Sequence, residues 1–284
     1  MIKRILVALD PDEDTPIATQ YAIALAKKFD ASLTGLAVVD TSNIYPTSIV
    51  GEIDSTHHAR NLWEELSEES RNVAKKLLAR FKSSVDETGV RYTAIKKEGA
   101  SYDRIIEGMK YHDLLVAGRD SHFFYNEPKR ETKTLAMVVK HGVSPTLVIT
   151  NEYREIKKVL VAFDGSAAAA RSLKGFVQLM PYGKDIEIEL IHISSGDEDE
   201  QTESAESVLE LAEYYLMEHN FKNITKKVLE NGKPSDRILE RQKETDADLI
   251  VLGAHSVSAI RRMTFGSTTH DLITKTDTPL FLSP

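Results

Sequence analysis

The chain of 284 residues contains no cysteine, and further absences narrow its function. Without cysteine the protein forms no disulfide, carries no thiol nucleophile and offers no thiolate to a metal. No apolar run approaches the length that spans a bilayer. The first residues, Met-Ile followed by a basic pair, lack the longer apolar core of a signal peptide. We therefore expect a cytoplasmic protein without a membrane partner.

The chain also has fewer basic than acidic residues, and it lacks two common catalytic motifs. Lys and Arg number 36 against 44 Asp and Glu, which gives a net charge of -8. An acidic chain repels a phosphate backbone, so general nucleic-acid binding is excluded. Neither Gly-x4-Gly-Lys-Ser/Thr nor Gly-x-Ser-x-Gly occurs. These absences argue against a P-loop nucleotidase and against a hydrolase with a nucleophile elbow.

The sequence instead contains an internal repeat. A period near half the chain length indicates two copies of one domain. Three segments return in the same order: Lys3–Asp10 as Lys157–Asp164, Glu98–Glu107 as Glu230–Glu240 with one inserted residue, and Asp113–Gly118 as Asp248–Gly253.

Each copy alternates short apolar runs with segments of helical periodicity. Ile5–Leu9 and Val159–Phe163 are continuous apolar runs that end in an Asp, as strands buried on both faces do. This alternation predicts an α/β fold with two tandem open five-stranded parallel sheets, each covered by helices on both faces. Residues 151–155 join the copies without a Gly/Ser tether. We expect two domains, residues 1–151 and 152–284, packed as a fixed pair.

The first copy contains an insertion. Asp10 and Gly99 are 89 positions apart, whereas Asp164 and Gly232 are 68 apart, so 21 residues are extra and fall mainly near 41–58. We expect a surface loop over the sheet, and a lid or a dimer arm is the alternative. His57 and His58 do not define a metal site, because adjacent side chains rarely converge on one ion.

The second copy contains a segment suited to phosphate. Gly253 ends a predicted strand, and a glycine there lets the backbone turn sharply. Gly266 and Ser267 stand where a helix is predicted to begin, and free N–H groups at a helix N-terminus attract phosphate. Hydroxyls and two arginines accompany them: Ser267, Thr268, Thr269, Arg261 and Arg262. On spacing alone, a helix simply capped by Ser267 explains the segment equally well.

This arrangement resembles the ATP-binding kind of universal stress protein. The resemblance rests on Gly253 and the later Gly266-Ser267 pair, on Val161–Ser166 as opening strand and turn, and on Thr278–Leu282 as last strand. It extends over both halves. It implies the adenine nucleotide alpha hydrolase-like fold and pairing of domains about a two-fold axis, which a tandem chain would supply internally.

The resemblance also assigns roles to residues of the second half. Asp164 matches the first-strand Asp on the adenosine side of the ligand, and Ile193 falls where the family packs an apolar residue on adenine. Gly253 matches the first motif glycine, and Gly266 with Ser267 matches the pair that holds phosphate. Ser256 departs from the motif, which has a second glycine there.

The first copy departs further. It retains Asp10 and Gly118, but Glu131 stands where the second copy has Gly266. A carboxylate at that position repels a polyphosphate, so we expect a degenerate site. The aromatic run Phe123–Tyr125 is expected to pack against the insertion or the second domain rather than to form a new ligand pocket.

The sequence therefore predicts a stress-response module that binds ATP or another adenine nucleotide in its second half, with little or no turnover. Mg²⁺ is expected only with the phosphates, and a homodimer is compatible with the chain. The alternatives are an interaction scaffold without ligand and a slow ATP hydrolase. In the latter His255, inside the motif, would act as general base. The Ser-Gly-Gly-x-Asp-Ser loop of the related ATP pyrophosphatases is absent.

Overall fold

The computed structural model describes residues 1–41, 55–119, 121, 123, 125, 134–150, 152–194, 204–254 and 267–284, without the side chains of 55–60. Within these ranges no helix is both long and apolar enough to cross a bilayer.

The first half alternates strands and helices in the predicted order. Its elements are β1 (Arg4–Leu9), α1 (Asp14–Phe29), β2 (Ser32–Val39), α2 (Ser55–Asp86), β3 (Tyr92–Glu98), α3 (Ser101–Met109), β4 (Leu114–Gly118), α4 (Thr134–His141) and β5 (Thr146–Ile149).

The second half repeats this order. Its elements are β6 (Lys158–Ala162), α5 (Ala167–Leu179), β7 (Glu187–Ser194), α6 (Ala205–Glu218), β8 (Asn223–Glu230), α7 (Pro234–Thr245), β9 (Leu249–Gly253), α8 (Ser267–Lys275) and β10 (Leu280–Ser283).

Local chemistry sets the helix starts in the second half. Ser166 precedes α5 and its Oγ accepts the backbone N–H of Ala169 at 3.2 Å. Ser204 does the same for α6, where Ser207 donates at 3.2 Å. A serine at this position satisfies one of the free N–H groups of the first turn. The α6 helix therefore begins after Ser204.

Part of the insertion in the first half is helical. The α2 helix begins at Ser55, within the stretch where the extra residues fall. It is 32 residues long, against 14 for its counterpart α6. Residues 42–54 and the side chains of His57 and His58 lie outside the described residues, so the loop, lid and metal hypotheses stay predictions.

The ten strands of the described residues form one sheet. Their order is β3-β2-β1-β4-β5-β10-β9-β6-β7-β8, with each half parallel within itself. The halves meet where β5 and β10 pair antiparallel, with Leu147 opposite Phe281. The two predicted five-stranded parallel sheets are thus present and are continuous with each other.

Side chains reinforce this joint. The guanidinium of Arg119, just after β4, donates to the carbonyl of Thr276 at 2.7 Å and lies 3.5 Å from the carboxylate of Asp277. Just after β5, the hydroxyl of Thr150 donates to the carbonyl of Asp277 at 2.6 Å. The segment that leads into β10 is therefore held by two residues of the first half.

The connection between the halves packs on α1. The backbone N–H of Arg154 donates to the hydroxyl of Tyr21 at 2.8 Å, and the ring of Tyr153 lies 4.7 Å from that of Tyr21. Ile156 is buried in the large core cluster that contains residues of both halves. The short join thus contributes to the core.

Burial of Tyr21 predicts a loss of stability in alkali. Burial raises the pKa of this phenol to about 12, whereas an unfolded tyrosine titrates near about 10. The unfolded chain therefore releases its proton first, and stability that is complete below pH ~10 is lost between pH ~10 and ~12. Urea unfolding at pH 9, 10 and 11 measures this slope.

Tyr21→Phe should reduce the alkaline slope. It should not abolish it, because burial also raises the pKa of Tyr125 and Tyr182. Tyr111→Phe is the control, since Tyr111 is 68% exposed. An equal slope in Tyr21→Phe and wild type would contradict the prediction.

Candidate functional site

An open cavity lies at the carboxyl ends of β6, β7 and β9. Its volume is about 230 Å³. Ligands of open parallel sheets bind at this end of the strands. Of the nine residues predicted to bind nucleotide, five line the cavity: Asp164, Ile193, Gly253, Ser267 and Thr268. The other four, His255, Ser256, Arg262 and Gly266, lie outside the described residues and stay predictions.

One wall of the cavity is apolar. It is formed by Ala162 from β6, Ile193 from β7, Ile238 from α7 and Leu252 from β9. Branched and small side chains on three elements make a surface that suits a flat ring, since such sites combine apolar walls with a few polar groups. Ile238 is a lining residue that the sequence analysis did not select. Ile238 occupies the same position in the sequence repeat as Ile105, and this correspondence is the signal that could have identified it.

Asp164 stands at the rim, in the turn between β6 and α5. Its carboxylate accepts the backbone N–H of Ser166 at 3.0 Å, which fixes the turn that leads into the helix. The side chain is exposed, so it remains accessible to a ligand as well.

Gly253 is required for a reason other than the predicted sharp turn. It is not among the glycines with positive φ. A Cβ atom built on it would lie 2.6 Å from the backbone nitrogen of Ala169. The glycine therefore lets α5 approach the end of β9, and this contact closes one side of the cavity. Gly118 serves the same purpose in the first half, where a Cβ would lie 2.7 Å from that of Asp14.

The first turn of α8 faces the cavity. Ser267 and Thr268 line it, and free N–H groups at a helix start carry partial positive charge. Thr269 has a different role from the one that its hydroxyl suggests. Its Oγ1 donates to the carbonyl of Gly253 at 3.1 Å. The third predicted hydroxyl donor is therefore committed to holding α8 against β9.

A polar contact joins the two helices whose starts border the cavity. Asp271 of α8 accepts the hydroxyl of Ser235 at 2.9 Å and forms an ion pair with Lys233, just before α7. Lys233 and Ser235 hold the pKa of this carboxyl below its usual range. No local sequence pattern relates positions 233 and 271, so this contact is not predictable from the sequence.

The equivalent place in the first half is filled by the chain itself. Phe123 is 1% exposed and belongs to the buried cluster that contains Ala8, Val38, Ile105 and Ala117. Strand register and the sequence repeat equate these four with the apolar wall of the second-half cavity: Ala162, Ile193, Ile238 and Leu252. The aromatic ring thus occupies space that is open in the second half.

The backbone of Phe123 is also tied down. Its N–H donates to the carboxylate of Asp10, the counterpart of Asp164. Its carbonyl accepts the hydroxyl of Ser101 at 3.1 Å. Nearby, the hydroxyl of Ser121 donates to Asp12 at 2.7 Å. Among the described residues, the partners of Phe123 therefore lie in its own half and not in the second domain. Residues 42–54 of the insertion lie outside the described residues, so packing of the aromatic run against the insertion stays a prediction.

Tyr125 forms hydrogen bonds to the ends of β1 and β2 in the same half. Its hydroxyl donates to the carbonyl of Leu9 at 2.9 Å and accepts the backbone N–H of Val38 at 3.1 Å. Burial raises the pKa of this phenol, so it stays neutral and donates throughout the physiological range. Phe124, the third aromatic of the run, lies outside the described residues.

Tyr125→Phe should destabilise the protein. It leaves a buried carbonyl on Leu9 and a buried N–H on Val38 without this partner, which costs roughly 1–3 kcal/mol. Chemical denaturation measures the loss. Tyr214→Phe removes the hydroxyl of a tyrosine that is 62% exposed and should leave stability as it is. Equal stability of both variants would show that the hydroxyl of Tyr125 contributes nothing.

Metal ligands are not grouped in the described residues. Within the ranges that the structure describes, no three His, Asp or Glu side chains are placed to hold an ion.

Comparisons with known proteins agree on one family. The sequence profile of the Universal stress protein family matches residues 1–122 and 155–284. Universal stress protein Slr1230 of Synechocystis is 24% identical over 98% of this chain and 99% of its own length. Universal stress protein YxiE of Bacillus subtilis is 26% identical, with 44% of this chain and 97% of its own length covered. Among solved structures, a universal stress protein from Archaeoglobus fulgidus has a TM-score of 0.63 and 21% identity, and the match covers 99% of this chain and 95% of that one.

Proposed function

Because the chain belongs to the universal stress protein family, we propose that its second half binds ATP or another adenine nucleotide and acts as a regulatory or signalling module with little or no turnover. The observation that carries this proposal is the second-half cavity, which combines an apolar wall with the N-terminus of a helix. A nucleotide likewise combines a flat base with phosphates.

The base end of the cavity supports adenine. Ile193, Ile238 and Leu252 present branched carbons to the cavity, and such groups pack well against the face of a ring. Asp164 stands at the rim with an exposed carboxylate that can accept a hydrogen bond from a ribose hydroxyl. Both assignments follow the roles that the family resemblance implies for Ile193 and Asp164.

The phosphate end is the start of α8. Backbone N–H groups and the hydroxyls of Ser267 and Thr268 would donate to phosphate oxygens, and the helix dipole favours negative charge there. From the sequence we add Gly266 and Arg262 to this end. Mg²⁺ would bind through the phosphates, because this ion commonly keeps its waters and takes few protein ligands.

We assign no catalytic residue. Among the described residues that line the cavity, the one ionisable side chain is that of Asp164, at its rim. His255 and Ser256 remain candidate pocket residues outside the described ranges. The hydrolase alternative assigns His255 as general base, so it predicts slower ATP loss in His255→Ala than in wild type. Equal ATP loss over hours in the two proteins would exclude His255 as the base.

Further parts of the proposal concern assembly and place. We set the domain boundary between residues 151 and 152 and propose that the two domains of one chain work as a pair. The β5–β10 pairing supports this. A homodimer of such chains and a cytoplasmic location belong to the same proposal.

Released nucleotide tests the function. Freshly purified protein is denatured, the precipitate is removed, and the supernatant is analysed by chromatography and mass spectrometry. We expect ATP or ADP near one per chain. No nucleotide, together with no calorimetric heat on adding ATP and Mg²⁺, would leave the interaction scaffold as the better explanation.

Charge at the start of α8 should control affinity. Ser267→Glu places a carboxylate beside the phosphates, and we expect ATP binding to weaken by roughly tenfold or more. The helix itself should not suffer, because acidic residues stabilise a helix N-terminus. His270→Glu is the matched control, an exposed residue one turn later that does not line the cavity. It should bind ATP as wild type does in calorimetry.

Gly266→Glu copies the first half, which has Glu131 at this position. We expect it to abolish nucleotide binding. If both Gly266→Glu and Ser267→Glu bind ATP as tightly as His270→Glu, the phosphate end is not at α8.

A further inference from the structure

The two halves of this chain differ in what fills one cleft. In the second half the cleft is open, whereas in the first half Phe123 occupies it. We propose that Phe123 is a built-in ligand that keeps the first half permanently in an occupied state, so that one half of the protein responds to nucleotide and the other does not. The inference rests on the proposed function for the identity of the ligand in the second half.

The ring of Phe123 belongs to the buried cluster whose members correspond to the apolar wall of the second-half cavity. It is packed in the cluster of Ala8, Val38 and Ala117, whose counterparts Ala162, Ile193 and Leu252 line the open cavity. A phenyl ring is flat and apolar, as the face of a purine is. The same arrangement of wall residues therefore takes an aromatic ring from the chain in one half and offers the space to a free molecule in the other.

The polar contacts follow the same pattern. Asp10 accepts the N–H of Phe123, and Asp164, at the equivalent position, is exposed at the rim of the open cavity. Asp10 is 3% exposed, so its carboxylate is closed to solvent by the residues that cover it. A molecule that bound here in the way proposed for the second half would compete with Phe123 for both the ring site and the carboxylate.

The conformation of Phe123 shows that the surroundings hold it in place. Its φ is 57°, a left-handed conformation that a residue with a Cβ adopts at a cost. Burial of the ring offsets this cost, as do the hydrogen bonds to Asp10 and from Ser101. The residue is thus bound by the cleft, as a ligand is, against its own backbone preference.

Removal of the ring should open the first site. We expect full-length Phe123→Ala to bind one more adenosine per chain than wild type in calorimetric titration. Adenosine is the probe, because Glu131 corresponds in the sequence repeat to Gly266, which the proposed function assigns to the phosphate end. Phe81→Ala is the matched control, since Phe81 is equally buried in the same half but belongs to another core cluster. It should gain no adenosine site.

The comparison separates this inference from the proposed function. The proposed function predicts how many nucleotide sites the wild-type chain has. The built-in ligand predicts how many more adenosine sites Phe123→Ala has than wild type. A folded Phe123→Ala with the wild-type number of adenosine sites would overturn the inference. An equal gain of adenosine sites in Phe81→Ala would also overturn it, because any cavity left by a buried phenylalanine would then bind adenosine.

Wild-type protein provides a second test if Phe123→Ala does not fold. Hydrogen exchange is measured with and without ATP and Mg²⁺. We expect amides around residues 163–166 and 267–270 to exchange more slowly with nucleotide, and amides around residues 9–12 and 38–40 to be unchanged. Slowing at both sets would show that the first half takes nucleotide in spite of Phe123, and the inference would be wrong.

Discussion

The pairing of two sheet edges determines the architecture of this protein. The outer strand of an open parallel sheet leaves a row of N–H and C=O groups without partners. Here β5 and β10 satisfy each other, and Arg119 and Thr150 hold the adjoining segment. Because the pairing is antiparallel, the strands of the two halves run in opposite directions. Their carboxyl ends, and hence the two clefts, lie at opposite ends of the common sheet, so one small molecule cannot occupy both.

Apart from the insertion and the longer α2 of the first half, the main difference between the copies lies at those clefts. The strands, the glycine contacts at Gly118 and Gly253, and the ion pairs within α3 and α7 are shared by the halves. At the clefts, the halves differ in whether a side chain of the protein itself fills the space. The two halves also remain in contact at the end of the sheet where the first-half cleft lies, since Arg119, just after β4, donates to Thr276 just beyond the last turn of α8. A single connected sheet therefore combines a closed copy and an open copy of one site.

The strands and helices are predictable from the sequence because each buried strand is a short apolar run and each helix has a periodic apolar face. Five of the nine predicted site residues line the cavity for a related reason, since they stand at strand ends or a helix start. The errors concern contacts between distant segments. The hydroxyl of Thr269 is committed because the carbonyl of Gly253 happens to lie beside it, and the role of Gly253 depends on how closely α5 approaches. The position of Phe123 likewise depends on a cleft built by four separate elements.

The outer strands of the sheet set a limit on its size. The free edges are β3 and β8, which contain Lys96 and Lys97 in one and Lys226 and Lys227 in the other. Charged lysines on an edge strand disfavour the addition of another strand, since a neighbouring chain would have to desolvate them. The joint between β5 and β10 thus allows the sheet to double once, and the lysine-bearing edges oppose its further growth into a fibre.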